Sequence, residues 1–365
     1  MSLLDRLKAQ IAQDGPIGVP EFFTRCLHDP RDGYYAMRPD LGAGGDFITA
    51  PLVSQMFGEL IGLWVIETWT RMGRPSPFHL VEMGPGDGTL MSDLLRAGKL
   101  DAEFLAAAQV WLVEVSAPLR ARQAERLGDA PRWVGRLDEV PAGAPMILVA
   151  NELLDCLPAR QFVRTETGWA ERVIGLGEDG ELAFGLRALS AQGPSTGSAG
   201  PPPPGGEESL PLGAVLESSP AQAALASDIA HRLLTDGGAA LLIDYGRDVP
   251  EAGDTLQAVR GHQKVDPLTT AGLADLTVWA DFPSVVAAAR ETGAKAGPIL
   301  SQAEFLLALG IEARAQALAT ARPDRAEQIA RQLDRLVGKA QMGALFKVAC
   351  LTAPDLSPPL FEDAT

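Results

Sequence analysis

Three groups of residues in this 365-residue chain have types and spacings that could do chemistry. The first is Glu82-Met83-Gly84-Pro85-Gly86-Asp87-Gly88, where glycines alternate and an acid stands two places before the first of them. Glycine at such a bend lets a ligand lie against the backbone, where a Cβ would collide with it. The dinucleotide fingerprint puts its third glycine five positions after the first, and Thr89 stands there instead. Pyrophosphate is poorly served by a carboxylate at position 82, whereas a ligand with an ammonium and a sulfonium is well served. The loop therefore favours S-adenosylmethionine over NAD, with a ligand-free strand-to-helix turn as the plain alternative.

The second group is Glu114, 26 residues beyond Gly88 and at the end of an apolar run, placed to accept hydrogen bonds from both hydroxyls of a ribose. Asp138, after a weaker apolar run, is the candidate adenine contact, or else a solvated turn acid. The third group is Asn151-Glu152-Leu153-Leu154-Asp155, which directly follows the fully apolar stretch 145–150. In an open parallel sheet, ligands gather beyond the carboxyl ends of the strands. Two carboxylates and an amide there would face whatever the glycine loop holds, with Asn151 toward the cofactor. The alternative is helix capping by Asn151 with both acids solvated.

The elements that must position these groups are legible from periodicity. Apolar runs at 78–83, 109–115, 133–134, 145–150 and 239–243 read as buried parallel strands, with helices at 89–95, 118–127 and 221–234. A helix at 283–291, a short strand at 297–300, helices at 301–311 and 324–336, and a closing strand at 342–351 follow. Seven strands with the last reversed would complete a doubly wound α/β sheet. Ahead of it lie helices at 3–11 and 19–27, a polar and aromatic loop, and one long amphipathic helix over 52–72. The loop has the character of a lid, and Tyr34, Tyr35 and Thr49 are its candidate substrate contacts. Residues 161–189 alternate between glycine turns and read as a β-meander. The stretch 190–209, with Pro201 to Pro204, is low-complexity and is expected to be mobile. Residues 254–281 are irregular and polar, a candidate roof carrying His262.

The resulting organisation is an N-terminal helical and loop region (1–55), a first core part (56–158), the inserted meander (159–189) and a linker (190–210). A second core part (211–355), with a site-covering segment at 250–282, and a tail (356–365) complete it.

A net charge of −16 excludes a general nucleic-acid binder, which needs a basic footprint, and is compatible with a basic protein substrate. Three scattered cysteines point to a reducing compartment, and four scattered histidines suggest no metal site. No stretch is long and apolar enough to span a membrane, and the N-terminus has no secretory signal. A bacterial cytoplasm is expected, or a mitochondrial matrix if the protein is a processed organellar one.

Taken together, the chain resembles the MidA-like family of S-adenosylmethionine-dependent methyltransferases. That family includes a mitochondrial arginine methyltransferase that assists assembly of respiratory complex I, and bacterial relatives. The resemblance runs from about Leu7 to Leu351. It rests on His28-Asp29-Pro30 with Gly33-Tyr34-Tyr35, the stretch from Gly45 to Pro51, Gly58-Glu59-Leu60 and Glu82 to Leu90. Asn151 to Asp155, Asp244-Tyr245-Gly246, Asp275-Leu276-Thr277 and Met342-Gly343 extend it. Two departures stand out: Asp87, where the family often has a basic residue, and the proline-rich insert.

The resemblance implies a class I methyltransferase fold and dimethylation of an arginine on a complex I subunit. Glu152 and Asp155 are then the candidate catalytic carboxylates, with Asp46 and Asp244 in support. Glu82, Gly84, Gly86, Gly88, Glu114, Asp138 and Asn151 are the candidate cofactor residues. A small-molecule methyltransferase and a non-catalytic assembly chaperone remain open alternatives, and the sequence does not give the oligomeric state.

Overall fold

The computed structural model describes residues 1–37, 49–189 and 210–362. The expectations for Asp46 and for the stretch 190–209 therefore lie outside the described residues.

The core strands are β1 (Phe78–Met83), β2 (Ala108–Val113), β3 (Pro131–Val134), β4 (Met146–Asn151) and β5 (Gly238–Arg247). The sixth position, β6, is filled by two short pieces, Lys295–Ala296 and Leu300–Ser301, and β7 is Phe346–Thr352. Across the sheet the order is β6-β7-β5-β4-β1-β2-β3. The first five strands run parallel, and β7 is antiparallel to β5. This is the α/β class I methyltransferase sheet, with the reversed last strand that the sequence predicts.

Every residue of β1, β4 and β5 is buried, because helices cover both faces. Successive side chains point to opposite faces and build two separate cores. Leu80, Leu112, Ile147, Val149 and Leu241 pack against helices Gln55–Arg71 and Thr89–Gly98. Val81, Trp111, Leu148 and Leu242 pack against helices Pro220–Asp236 and Phe282–Thr292.

Several expected elements divide. The long helix breaks at Ser54, whose extended backbone (φ −162°, ψ 142°) and side chain cap Gln55–Arg71. The helix expected over 301–311 stops near Gly310 (φ 87°), and a further helix, Ile311–Ala321, follows. The start of the closing strand is a helical turn, Met342–Leu345. It docks so closely on helix Ala326–Val337 that a Cβ on Gly343 would stand 2.3 Å from the Val337 carbonyl oxygen.

The meander is present as Arg160–Thr165, Gly168–Leu176 and Leu182–Ala188, but Val215–Ser218 and Ile17–Gly18 join it to make five strands. Helices Leu3–Asp14 and Val19–His28 pack on this sheet and on the small sheet of Gln257–Arg260, Gln263–Val265 and Asp275–Thr277. Leu7, Phe22, Phe23, Ile174 and Leu276 share that third core. The N-terminal helices, the insert and the roof thus form one packed body beside the carboxyl edge of the core sheet.

Candidate active site

The carboxyl ends of β1, β2 and β4 open onto a cavity of about 320 Å³, a size typical of small-molecule sites. At its loop end, Gly84 and Gly86 have left-handed backbones (φ 66° and 54°). A Cβ on Gly84 would also meet Leu153 at 3.0 Å. Gly88 does not reach the cavity. It sits at the start of helix Thr89–Gly98 with φ 81°, so the backbone rather than a ligand requires glycine there. Asp87 accepts from the Thr89 amide at 3.0 Å and pairs with Arg126 at 2.7 Å. Its extra negative charge is thereby countered by a neighbouring helix.

Glu82 lines the cavity at the end of β1, and its Oε2 is buried without a hydrogen-bond partner. Burial, reinforced by the charge of Asp87, holds this carboxyl well above the usual carboxylate range. A bound cation would satisfy it. Glu114 stands just past β2, where its Oε1 accepts from the Ser116 amide at 2.7 Å. Burial again raises its pKa.

Between the glycine loop and Glu114 lies a residue the sequence did not flag, Gln123. Wholly buried, it accepts from Trp133 Nε1 at 2.8 Å and donates Nε2 to the Gly86 carbonyl at 2.7 Å, with Glu114 Oε2 at 3.4 Å. It braces the glycine loop against Glu114. A lone glutamine in a polar helix carries no signal in one sequence.

Beyond Glu114 the cavity wall is Val115, Leu119 and Gly135. Asp138 is not brought there. In the turn Leu137–Glu139 it is Leu137 that is buried, which leaves Asp138 on the surface paired with Arg136 at 2.8 Å. This end of the cavity is apolar side chain and backbone, groups that form no motif.

On the β4 side of the cavity stand Asn151, Glu152 and Asp155. Glu152 has φ 54°, a left-handed conformation unusual for a non-glycine residue, and leaves the sheet by it. Its Oε1 accepts from the Ala50 amide at 3.0 Å and from Asn151 Nδ2 at 3.1 Å. Burial, reinforced by Asp155, pushes its pKa up to about 7. Asp155 is likewise raised by burial.

Asp244 is wholly buried and does not line the cavity. Its Oδ2 accepts from the Leu154 and Asp155 amides at 2.8 and 3.1 Å, and its Oδ1 from the Tyr245 amide at 2.8 Å. It holds the turn that presents Glu152 and Asp155, so it is a positioning residue. Burial raises its pKa well above the usual range, and the charges of Asp155 and Glu152 add to this.

Tyr35 and Thr49 line the cavity mouth with His28 and Leu52. The Tyr35 hydroxyl lies 2.8 Å from Cys156 Sγ, and its ring stacks on His28 with centroids 5.6 Å apart. Tyr34 is turned the other way, into the N-terminal core, edge-on to Tyr35 at 5.4 Å. His262 is also absent from the cavity. With Gly261 it makes the two-residue turn of a hairpin, both with positive φ (58° and 62°), and stays exposed at the tip.

Positive-φ glycines, an orphaned buried carboxyl oxygen at Glu82 and an acid at the end of β2 fit a ligand that is cationic at one end and a nucleoside at the other. The family model of S-adenosyl-L-methionine-dependent methyltransferases matches residues 60–299. The chain belongs to this family. Mitochondrial protein arginine methyltransferase NDUFAF7 relatives span nearly all of it. That of Drosophila melanogaster is 37% identical, covering 95% of this chain and 84% of the relative. That of Danio rerio is 36% identical, covering 95% and 86%. A Burkholderia thailandensis structure bound to S-adenosyl-homocysteine superposes with a TM-score of 0.80 at 28% identity, covering 96% of this chain and 91% of that one. The protein is an S-adenosyl-L-methionine-dependent methyltransferase of the kind the sequence resembles, and no helix among the described residues of this methyltransferase is long and apolar enough to cross a membrane.

Proposed function

We propose that the methyltransferase modifies an arginine side chain of a protein, with a respiratory complex I subunit as the acceptor. The observation that carries this reading is the charge of the cavity beyond the cofactor end. Glu152 and Asp155 face it, Asp244 lies behind them, and no lysine or arginine lines it among the described residues. Buried carboxyls crowded in this way call for a cation. A guanidinium is planar, permanently charged and shaped to take carboxylates edge-on.

Glu82, Gly84 and Gly86 would hold the amino-acid end of the cofactor, Glu114 the ribose, and Val115, Leu119 and Gly135 the adenine. When bound, S-adenosylmethionine supplies a methyl group on a positively charged sulfur. The chain's own task is to orient the guanidinium and take a proton from it, since with a pKa above about 12 it is a poor nucleophile while protonated. Glu152 suits that role, because burial holds its carboxyl near neutrality, at about 7. Asp155 would hold the remaining positive charge. Fixing both reactants in this geometry is the larger part of the catalysis, worth roughly 7–11 kcal/mol where positioning is good.

A net charge of −16 suits a basic acceptor protein. The three cysteines are all unpaired, which suits a reducing compartment such as a bacterial cytoplasm or a mitochondrial matrix. Incubation with methyl-labelled cofactor and a lysate, followed by mass spectrometry, tests the reading. Dimethylarginine on a complex I subunit is expected. Label in the small-molecule fraction, on another residue type, or nowhere would overturn it. The cofactor residues are tested by titration calorimetry on Glu114→Ala and Gly86→Val, and undiminished affinity in both would remove those assignments.

A further inference from the structure

The cavity carries two hydroxyls that the proposed chemistry does not use. Tyr245 follows Asp244 on β5, and Thr277 ends the strand Asp275–Thr277 of the roof sheet. Both line the same cavity as Glu152 and Asp155. They are 7% and 2% exposed; Tyr245 Oη stands beside Thr277 Oγ1 and the Asp155 carboxyl, yet neither hydroxyl makes a hydrogen bond of good geometry. Buried polar atoms without partners are rare and point to a missing ligand.

Neither hydroxyl is free to swing away. The Tyr245 ring is set edge-on against Phe346, with centroids 5.5 Å apart, and its backbone is paired with that residue across the sheet. Thr277 has its backbone paired with Gln257 and its side chain enclosed, with 2% of the residue exposed. Two rigid elements from different parts of the chain thus bring a hydroxyl each to the acidic end of the cavity. Asn151 Oδ1, also buried and unpartnered, lies at that end too.

A guanidinium carries five N–H donors in a fixed plane and no acceptor, whereas an ammonium carries three on a freely rotating head. The two carboxylates offer four oxygens, and Glu152 Oε1 already accepts from the Ala50 amide and Asn151 Nδ2, which leaves three oxygens in the plane for five N–H groups. We propose that Tyr245 Oη and Thr277 Oγ1 accept the remaining N–H groups of the acceptor guanidinium and so make the site selective for arginine over lysine. The proposal rests on the arginine reading above and assigns its selectivity to two residues outside the acidic motif.

The test measures binding of N-acetyl-arginine amide and N-acetyl-lysine amide to the full protein saturated with S-adenosylhomocysteine, for the wild type, Tyr245→Phe and Thr277→Val. The wild type should bind the arginine amide the more tightly. Each variant should lose about tenfold of that affinity, leave lysine amide binding unchanged and hold S-adenosylhomocysteine as the wild type does. Thr277→Val changes no ring packing, so it decides the matter should Tyr245→Phe fold poorly. Wild-type selectivity retained in Thr277→Val and in a folded Tyr245→Phe overturns the hydroxyl assignment and leaves the arginine reading standing. Equal or absent binding of the arginine amide by the wild type removes both.

Discussion

Glu152→Gln separates the charge of the candidate base from its shape. Burial lifts this carboxyl from 4.5 to about 7, a gap equivalent to about 3 kcal/mol between its two protonation states. Between those pH values the folded protein keeps a proton that the unfolded chain has released, so stability falls as pH rises and levels off above about 7. Glutamine has the same size and keeps an oxygen for the Ala50 amide and Asn151 Nδ2, which Glu152 Oε1 now serves. It carries no charge at any pH. Urea denaturation should therefore find the variant as stable as wild type near pH 5 and more stable by about 1–3 kcal/mol near pH 8. Methyl transfer measured in single turnover should drop by roughly 10²–10⁴-fold, with S-adenosylhomocysteine affinity unchanged by calorimetry. A variant that is less stable than wild type near pH 8 would refute the electrostatic account. One that turns over at the wild-type rate would remove Glu152 from the chemistry.

In the wild type, the same group predicts that kcat/KM rises with pH through about 7, since the ionised carboxyl is the form that takes the proton; a flat profile there would point to another base. Gln123→Met keeps the volume but leaves Trp133 Nε1 and the Gly86 carbonyl without the partners they now have. It should cost about 1–3 kcal/mol in denaturation and weaken S-adenosylhomocysteine binding about tenfold; undiminished affinity would mean that the loop and Glu114 need no brace. Asp244→Ala removes the acceptor of three backbone N–H groups. A loss of about 3 kcal/mol or more is expected, with transfer impaired further than cofactor binding. Gly238→Ala would place a Cβ 1.9 Å from the Met146 carbonyl oxygen at φ 113°. It should prevent β5 from pairing with β4, and a soluble, cooperatively unfolding variant would contradict the register described.

The core sheet was legible because its strands are buried on both faces, so unbroken apolar runs between glycine turns could hardly be anything else. Where the reading slipped, a local capping event was responsible. Ser54 ends one helix and starts another within an apolar run, and Gly310 divides what the periodicity joins. Ile17–Gly18 could not have been foreseen as a strand, since two residues have no period and their pairing with Ile174 and Val173 is purely long-range. The same holds for the N-terminal region, where Tyr34 and Tyr35 are adjacent and alike in type, yet one enters the core and the other the cavity.

For the site, the limit is sharper and lies in the comparison of Glu152 with Asp244. Both are acids just past an apolar strand, and nothing in their neighbours tells them apart. The register does. Asn151, the last residue of β4, pairs with Ile243, and β5 then continues to Arg247, so Asp244 is still inside the sheet, opposite Lys347 of β7. Glu152 has already left the edge of its strand, with the left-handed backbone that this requires. A difference of a few residues in strand length therefore makes one acid face the cavity. The other lies behind it, where it can only hold backbone amides. The two roles depend on each other: the amides that Asp244 holds are those of Leu154 and Asp155, within the turn that aims the facing acids. Strand ends are the least determined feature of a sequence, and in this fold they decide which carboxylates reach the cavity.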